Sequence, residues 1–172
     1  MHDKQVIVGI DPGLTGAVAY LGADWCAVRD LPTGRDADDN NRIDVRALAA
    51  QLQEVIPAGS TILAVSEKLL PGGVAREGRN NTYSVAVQNR TRGRIEATIE
   101  LLGLELEEVT PQKWKKLYGL TGKKDEKAQA VKAAIDLAKL LYPDLTEDLR
   151  LVKHHNRAEA VLIAHWFKKV PA

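Results

Sequence analysis

The sequence predicts an α/β fold, a mixed five-stranded sheet flanked by helices. Three observations carry this expectation. Gln5-Val6-Ile7-Val8-Gly9-Ile10 and Thr61-Ile62-Leu63-Ala64-Val65 are short apolar runs rich in β-branched residues, as buried strands are. Between and after them, apolar residues recur at helical spacing, at Val45, Leu48, Leu52, Val55 and Ile56, then at Val87, Ile95, Ile99 and Leu102. The order is three strands, helix, strand, helix, strand and then helices, which fits a mixed sheet covered by helices.

Taken in order, the first apolar run is halted by Pro12-Gly13, so Asp11 stands at a strand end. Thr15 to Leu21 and Trp25 to Leu31, joined by a turn at Gly22-Ala23-Asp24, complete an antiparallel three-strand meander. Pro32 to Asn41 reads as a polar loop. Asp44 is a cap for the first helix and Pro57-Ala58-Gly59 its stop. The fourth strand delivers Ser66 and Glu67 at its tip before Pro71-Gly72-Gly73 breaks the pattern. A Gly-, Arg- and Asn-rich loop over 72–82 then precedes a long helix over 83–102. Leu104 to Val109 alternates apolar with acidic residues, as a half-exposed fifth strand does. Thr110-Pro111 supplies an N-cap and first-turn proline for a short helix through Trp114. Ala128, Val131, Ile135 and Ala138 mark another helix ending near Tyr142-Pro143, and Ala158 to Phe167 forms the last.

At 172 residues and 45% hydrophobic content, the chain fits one domain over 1–172 with an aliphatic core, since aromatic residues make up 5%. The one cysteine, Cys26, excludes an internal disulfide and a cysteine zinc cluster and reads as a buried, inert thiol. No segment approaches the roughly 18 apolar residues that cross a bilayer. A soluble, intracellular protein with no membrane partner is expected. The formal net charge of +1 hides segregation. Residues 71–94 carry five arginines against Glu77, and residues 110–132 carry seven lysines against Asp125 and Glu126, whereas residues 21–60 are net acidic. Either basic run alone would read as a solvated face. Together, flanking a candidate acidic site, they point to a phosphate-binding surface.

Asp11, Glu67 and Glu159 are the candidate acids. Each has a plainer reading: a turn for Asp11, a strand-end pair with Lys68 for Glu67, a solvated helix position for Glu159. Asp11, however, follows an apolar strand, and Glu159 sits within Ala158, Ala160, Val161, Leu162, Ile163 and Ala164. Carboxylates gathered at a sheet edge repel one another unless a cation sits among them, and a hard divalent metal is the natural occupant. Two such ions can activate a water and stabilise a leaving oxygen in phosphodiester cleavage.

Four stretches are similar, in order and spacing and over nearly the whole chain, to the motifs of RuvC-like Holliday junction resolvases of the ribonuclease H-like superfamily. They are Ile10-Asp11-Pro12-Gly13-Leu14-Thr15-Gly16-Ala17, Val65-Ser66-Glu67, Val109-Thr110-Pro111-Gln112-Lys113-Trp114-Lys115 and Arg157-Ala158-Glu159-Ala160. The Pro-x-x-Trp-Lys and Arg-Ala-Glu-Ala forms look more like phage-type members. The resemblance implies a ribonuclease H-like fold, a homodimer, and two Mg²⁺ or Mn²⁺ ions with no small-molecule cofactor. It also implies paired incisions in four-way DNA junctions leaving 5′-phosphates, in a bacterial or phage-encoded cytoplasmic protein. Asp11, Glu67 and Glu159 match three of the family's four metal-binding acids. At the fourth position stand His155 and Asn156, of which His155 is the expected ligand through a neutral imidazole. A cap role for the His154-His155 pair is the alternative.

The basic stretches then acquire expected roles. Arg76, Arg79 and Asn80 reach the junction centre, and Arg90, with Arg92 and Arg94, continues this charge along the next helix. Lys113, Lys115, Lys116, Lys123, Lys124 and Lys127 grip phosphates, one of them close enough to aid the transition state. Tyr83 stacks on a base or anchors the core. The helix over 83–102, with Ala86, Gly93 and Ala97, is the expected dimer interface, unless those small residues pack on the sheet. Three other readings stand beside this one: a junction-binding protein with a disarmed site, a nuclease for branched DNA or structured RNA more broadly, and an actin-like ATPase suggested by Asp11-x-Gly13-x-Thr15. The last needs two such domains, which 172 residues cannot supply.

Overall fold

In the computed structural model, which describes residues 4–68, 80–121 and 127–170, β1 (Gln5–Asp11) forms the centre of a five-stranded sheet. On one side β1 pairs antiparallel with β2 (Ala17–Leu21), and β2 with β3 (Cys26–Asp30). On the other it pairs parallel with β6 (Thr61–Glu67), which pairs parallel with β7 (Leu106–Val109). The sheet order β3-β2-β1-β6-β7 is thus mixed, as expected. β1 and β2 are apolar almost without interruption because both faces of the sheet are covered.

The period-two alternation of β1 sorts its side chains between two cores. Val6, Val8 and Ile10 join Leu48, Leu52, Ile95 and Ile99 of α1 (Val45–Val55) and α2 (Asn80–Leu101). Ile7 joins the opposite cluster, with Val65, Trp114 and residues of α3 (Pro111–Leu117), α4 (Lys127–Leu141) and α5 (His155–Lys169). By the same alternation Gly9 and Asp11 share the α5 face with Ile7, and Glu67 shares it with Val65. α5 lies across β1 and β2, and Gly9 permits the close approach: a Cβ there would lie 2.5 Å from the Ala160 carbonyl oxygen and 2.6 Å from the Ala164 Cβ. Gly9→Ala should therefore push α5 off the sheet at a cost of about 1–3 kcal/mol. The expected signs are a melting temperature lower by about 3–10 °C and weaker function of any site that α5 completes, measured by thermal unfolding and activity.

The aliphatic core is as expected, with Tyr20 and Trp114 as fully buried exceptions. The Asp44 carboxylate caps α1, accepting from the backbone N–H groups of Arg46 (3.0 Å) and Ala47 (3.1 Å), worth about 1 kcal/mol. Several expectations need correction. The segment read as a polar loop contains a hairpin, β4 (Thr33–Arg35) and β5 (Asn41–Ile43). Tertiary bonds hold it rather than an apolar pattern. Arg90 binds Asp36 (3.0 Å) and the Asn41 carbonyl (3.2 Å), and Arg94 binds the Ile43 carbonyl (2.6 Å). Thr110 has the extended backbone of an N-cap but makes no side-chain cap bond. α5 starts at His155, a turn before the apolar pattern begins, and Cys26 is half-buried. Among the described residues no helix is long and apolar enough to cross a membrane.

Candidate functional site

The parallel register sets Ile10 beside Ser66, so Asp11 and Glu67, one step further, leave the sheet at the same end. The chain then turns back through Pro12–Gly16, where Gly16 donates to the Gly13 carbonyl (3.1 Å) and has no room for a Cβ against the Asp11 carbonyl. On the other flank Val109 pairs with Glu67 in the β6–β7 register, and α3 begins two residues later. That placement seats Trp114, fully buried, beneath Glu67. Its indole Nε1–H donates to Glu67 Oε2 at 2.8 Å. The next residue, Lys115, donates from Nζ to both oxygens of Glu159, at 3.2 and 3.3 Å, with its ammonium 4.9 Å from the Trp114 ring centroid. The plainer pairing of Glu67 with Lys68 does not occur; Lys68 reaches Glu108 (3.9 Å).

Three acids from β1, β6 and α5 therefore share one electrostatic site. Burial, then the Glu159 and Glu67 carboxylates, push Asp11 from the usual carboxylate range up to about 8, against the pull of Lys115. Burial also raises Glu67, while Lys115 and the Trp114 N–H bond draw it back down. Such an excess of buried negative charge is costly without a counter-cation. The donors are oxygens only, the ligand type a hard divalent ion takes, and in kind they fit one. Among the described residues no three His, Cys, Asp or Glu side chains stand close enough to hold an ion as they are, with Lys115 engaged on Glu159.

No family model matches the sequence, and no curated protein matches it significantly. Solved structures do match. A Thermus thermophilus RuvC in complex with a Holliday junction substrate superposes with a TM-score of 0.51 at 19% identity, over 95% of this chain and 92% of that one. The fold is RuvC-like. A second structure of Thermus thermophilus RuvC aligns at 16% identity over 95% of each chain, with a TM-score of 0.43.

Within this RuvC-like fold the turn that opens α5 discriminates the two residues at the fourth position. Asn156 Nδ2 donates to the Thr15 carbonyl (2.6 Å) and to Thr15 Oγ1 (3.1 Å), tying α5 to the Asp11 loop. His155 Nδ1 instead lies 3.3 Å from the Val152 carbonyl. His154 sits at the N-cap position without a side-chain cap bond. Arg157 locks the same turn to β3 through Asp30, at 2.6 and 2.7 Å, and to the Asp148 carbonyl at 3.1 Å. The guanidinium holds the Asp30 carboxyl below the usual range.

The basic residues divide. Arg90, Arg92 and Arg94 are engaged internally, Arg92 with Glu96 (2.7 Å) and Glu108 (3.0 Å). Lys113 lies over the Trp166 ring, 5.4 Å from its centroid, and Lys116 is exposed on α3. Arg76, Arg79, Lys123, Lys124 and the side chains of Asn80 and Lys127 lie outside the described residues. Tyr83 is 66% exposed, which removes the core-anchor alternative. Ala86, Gly93 and Ala97 are exposed as well and do not pack on the sheet. Sequence reasoning did not assign Trp114 to Glu67 or Asn156 to Thr15. The signal for the first was present, because Trp114 adjoins Lys115 in the same short motif.

Proposed function

We propose that this chain is a structure-selective endonuclease that resolves four-way DNA junctions by Mg²⁺- or Mn²⁺-dependent phosphodiester hydrolysis, leaving 5′-phosphates. One observation carries the reading: Asp11, Glu67 and Glu159 share one electrostatic environment at one end of a RuvC-like sheet, with Lys115 bonded to Glu159 and drawing on the other two. The matched Thermus thermophilus RuvC, solved with a Holliday junction substrate, indicates the DNA structure to try first. Divalent ions held by the three carboxylates would supply an activated water and neutralise the leaving oxygen. The chain's own residues do the remainder. Trp114 holds Glu67, Gly9 lets α5 present Glu159, and the Lys115 ammonium, released from Glu159 once that carboxylate holds a metal, would meet a phosphate oxygen. Lys113 and Lys116, on the same short helix, extend that positive surface toward the DNA backbone.

A two-fold substrate calls for two sites, and a homodimer supplies them. Ala86, Arg90, Gly93, Ala97 and Leu101 follow one face of α2, and Leu101 is 85% exposed. That face is the candidate interface, and sedimentation of the wild type at micromolar concentration should give a dimer. A second reading is favoured by Asn156. Its amide nitrogen is committed to Thr15, so a protein with only three acids could bind junctions and cut them poorly.

The deciding experiment is cleavage of a synthetic mobile four-way junction, beside linear duplex and a splayed-arm control, in Mg²⁺, Mn²⁺ or EDTA, with wild type and Glu67→Gln. Paired symmetric nicks that need metal and vanish in the variant, while junction binding persists, are the expected result. Tight junction binding without cutting in either metal would replace the nuclease by the binding protein.

A further inference from the structure

Trp114 touches Glu67 directly and the lysine that binds Glu159. Its indole edge meets Glu67 and its ring face meets the ammonium that grips Glu159. A fully buried tryptophan in a core built from aliphatic side chains is a costly choice for filling space alone, because its N–H must find an acceptor. Here the acceptor is a carboxylate oxygen at 2.8 Å, a bond that restrains the Glu67 side chain while leaving lone pairs on both oxygens. The ring face holds Lys115 at cation–π distance, and Lys115 in turn holds Glu159 by both oxygens. Since α3 starts two residues after the Glu67 partner Val109, the indole is carried on a rigid element and not on a loop.

We propose that Trp114 is the positioning residue of Glu67 in the acidic site, fixing that carboxylate through its indole N–H and thereby setting the site's affinity for a divalent cation. This rests on the nuclease reading, in which the site's acids hold the ion. Partners that orient metal ligands in this way are worth about 10–100-fold in metal affinity.

The test uses Mn²⁺ alone as the probe, with binding followed by calorimetry in wild type, Glu67→Gln and Trp114→Phe, and the three indole N–H resonances followed by ¹⁵N NMR. Trp114→Phe keeps an aromatic ring and removes the donor; benzothienylalanine at the same position removes only the N–H and serves if the phenylalanine variant fails to fold. The expected result is a loss of about 10–100-fold in Mn²⁺ affinity. The resonance that disappears on substitution at 114 should be the one that Glu67→Gln moves. Equal Mn²⁺ affinity in wild type and the donor-less variants, or an indole signal indifferent to Glu67→Gln, overturns the proposal and leaves the nuclease reading standing. A wild type that neither binds Mn²⁺ nor cuts junctions overturns both.

Discussion

Asp11→Asn is expected to lower metal-dependent junction cleavage by at least about 10³-fold, some 4 kcal/mol of transition-state stabilisation, and to make the metal-free protein more stable at pH 8. Both effects have one origin. Asp11 lies in the apolar end of β1 facing two further carboxylates, and its carboxyl titrates near 8 in the fold against 3.8 when unperturbed. Between those values the folded chain holds a proton that the unfolded chain has released. Stability therefore declines as pH rises through this window, by about 1.4 kcal/mol per pH unit at most, and levels off above the folded value. From pH 6 to pH 8 the metal-free wild type should lose about 2 kcal/mol, or roughly 4–8 °C of melting temperature. The asparagine variant has no such proton to lose. Its melting curve should be flat over the same range, and a wild-type curve equally flat in EDTA would show that Asp11 titrates normally.

Added divalent metal should invert that dependence. An ion needs the carboxylate, so below the Asp11 value it must displace a proton, and its affinity rises about tenfold per pH unit until Asp11 is ionised. Between pH 6 and pH 8 the apparent Mg²⁺ affinity should grow by about 50-fold, with about a further twofold beyond. Cleavage at subsaturating Mg²⁺ should follow the same curve, while cleavage at saturating Mg²⁺ should not. Calorimetry at pH 6, 7, 8 and 9 measures the first, and initial rates at two metal concentrations measure the second. An affinity independent of pH across this range would place the ion away from Asp11.

The layered fold was legible because its signals are local. Two uninterrupted apolar runs mark strands covered on both faces, and the 3.6-residue pattern of α1 marks a helix covered on one. The β4–β5 hairpin was not legible, since of its six strand residues only Ile43 is buried and its bonds come from Arg90 and Arg94, some fifty residues away. The same distance misled the charge count, which could not tell an arginine held by a carbonyl from one open to DNA. The acids could be proposed in advance, Asp11 and Glu67 because each ends an apolar strand and Glu159 because it interrupts an apolar helix pattern. Their geometry could not. His155 and Asn156 precede Glu159 by four and three residues, both within one turn, and only the position of the Thr15 loop distinguishes them. Likewise the sequence offers seven lysines between 110 and 132, and it takes the start of α3 beside Glu67 to select Lys115.

The acidic site draws on β1, β6 and α5, so its three carboxylates come from the beginning, the middle and the far end of the described chain. During synthesis the first two can pair in the sheet long before the third exists. Until α5 has left the ribosome and settled against Gly9, the growing chain has neither Glu159 nor the asparagine that secures the Asp11 loop. On the nuclease reading, a nascent chain that lacks α5 has an incomplete site, and competence waits on the docking of that helix.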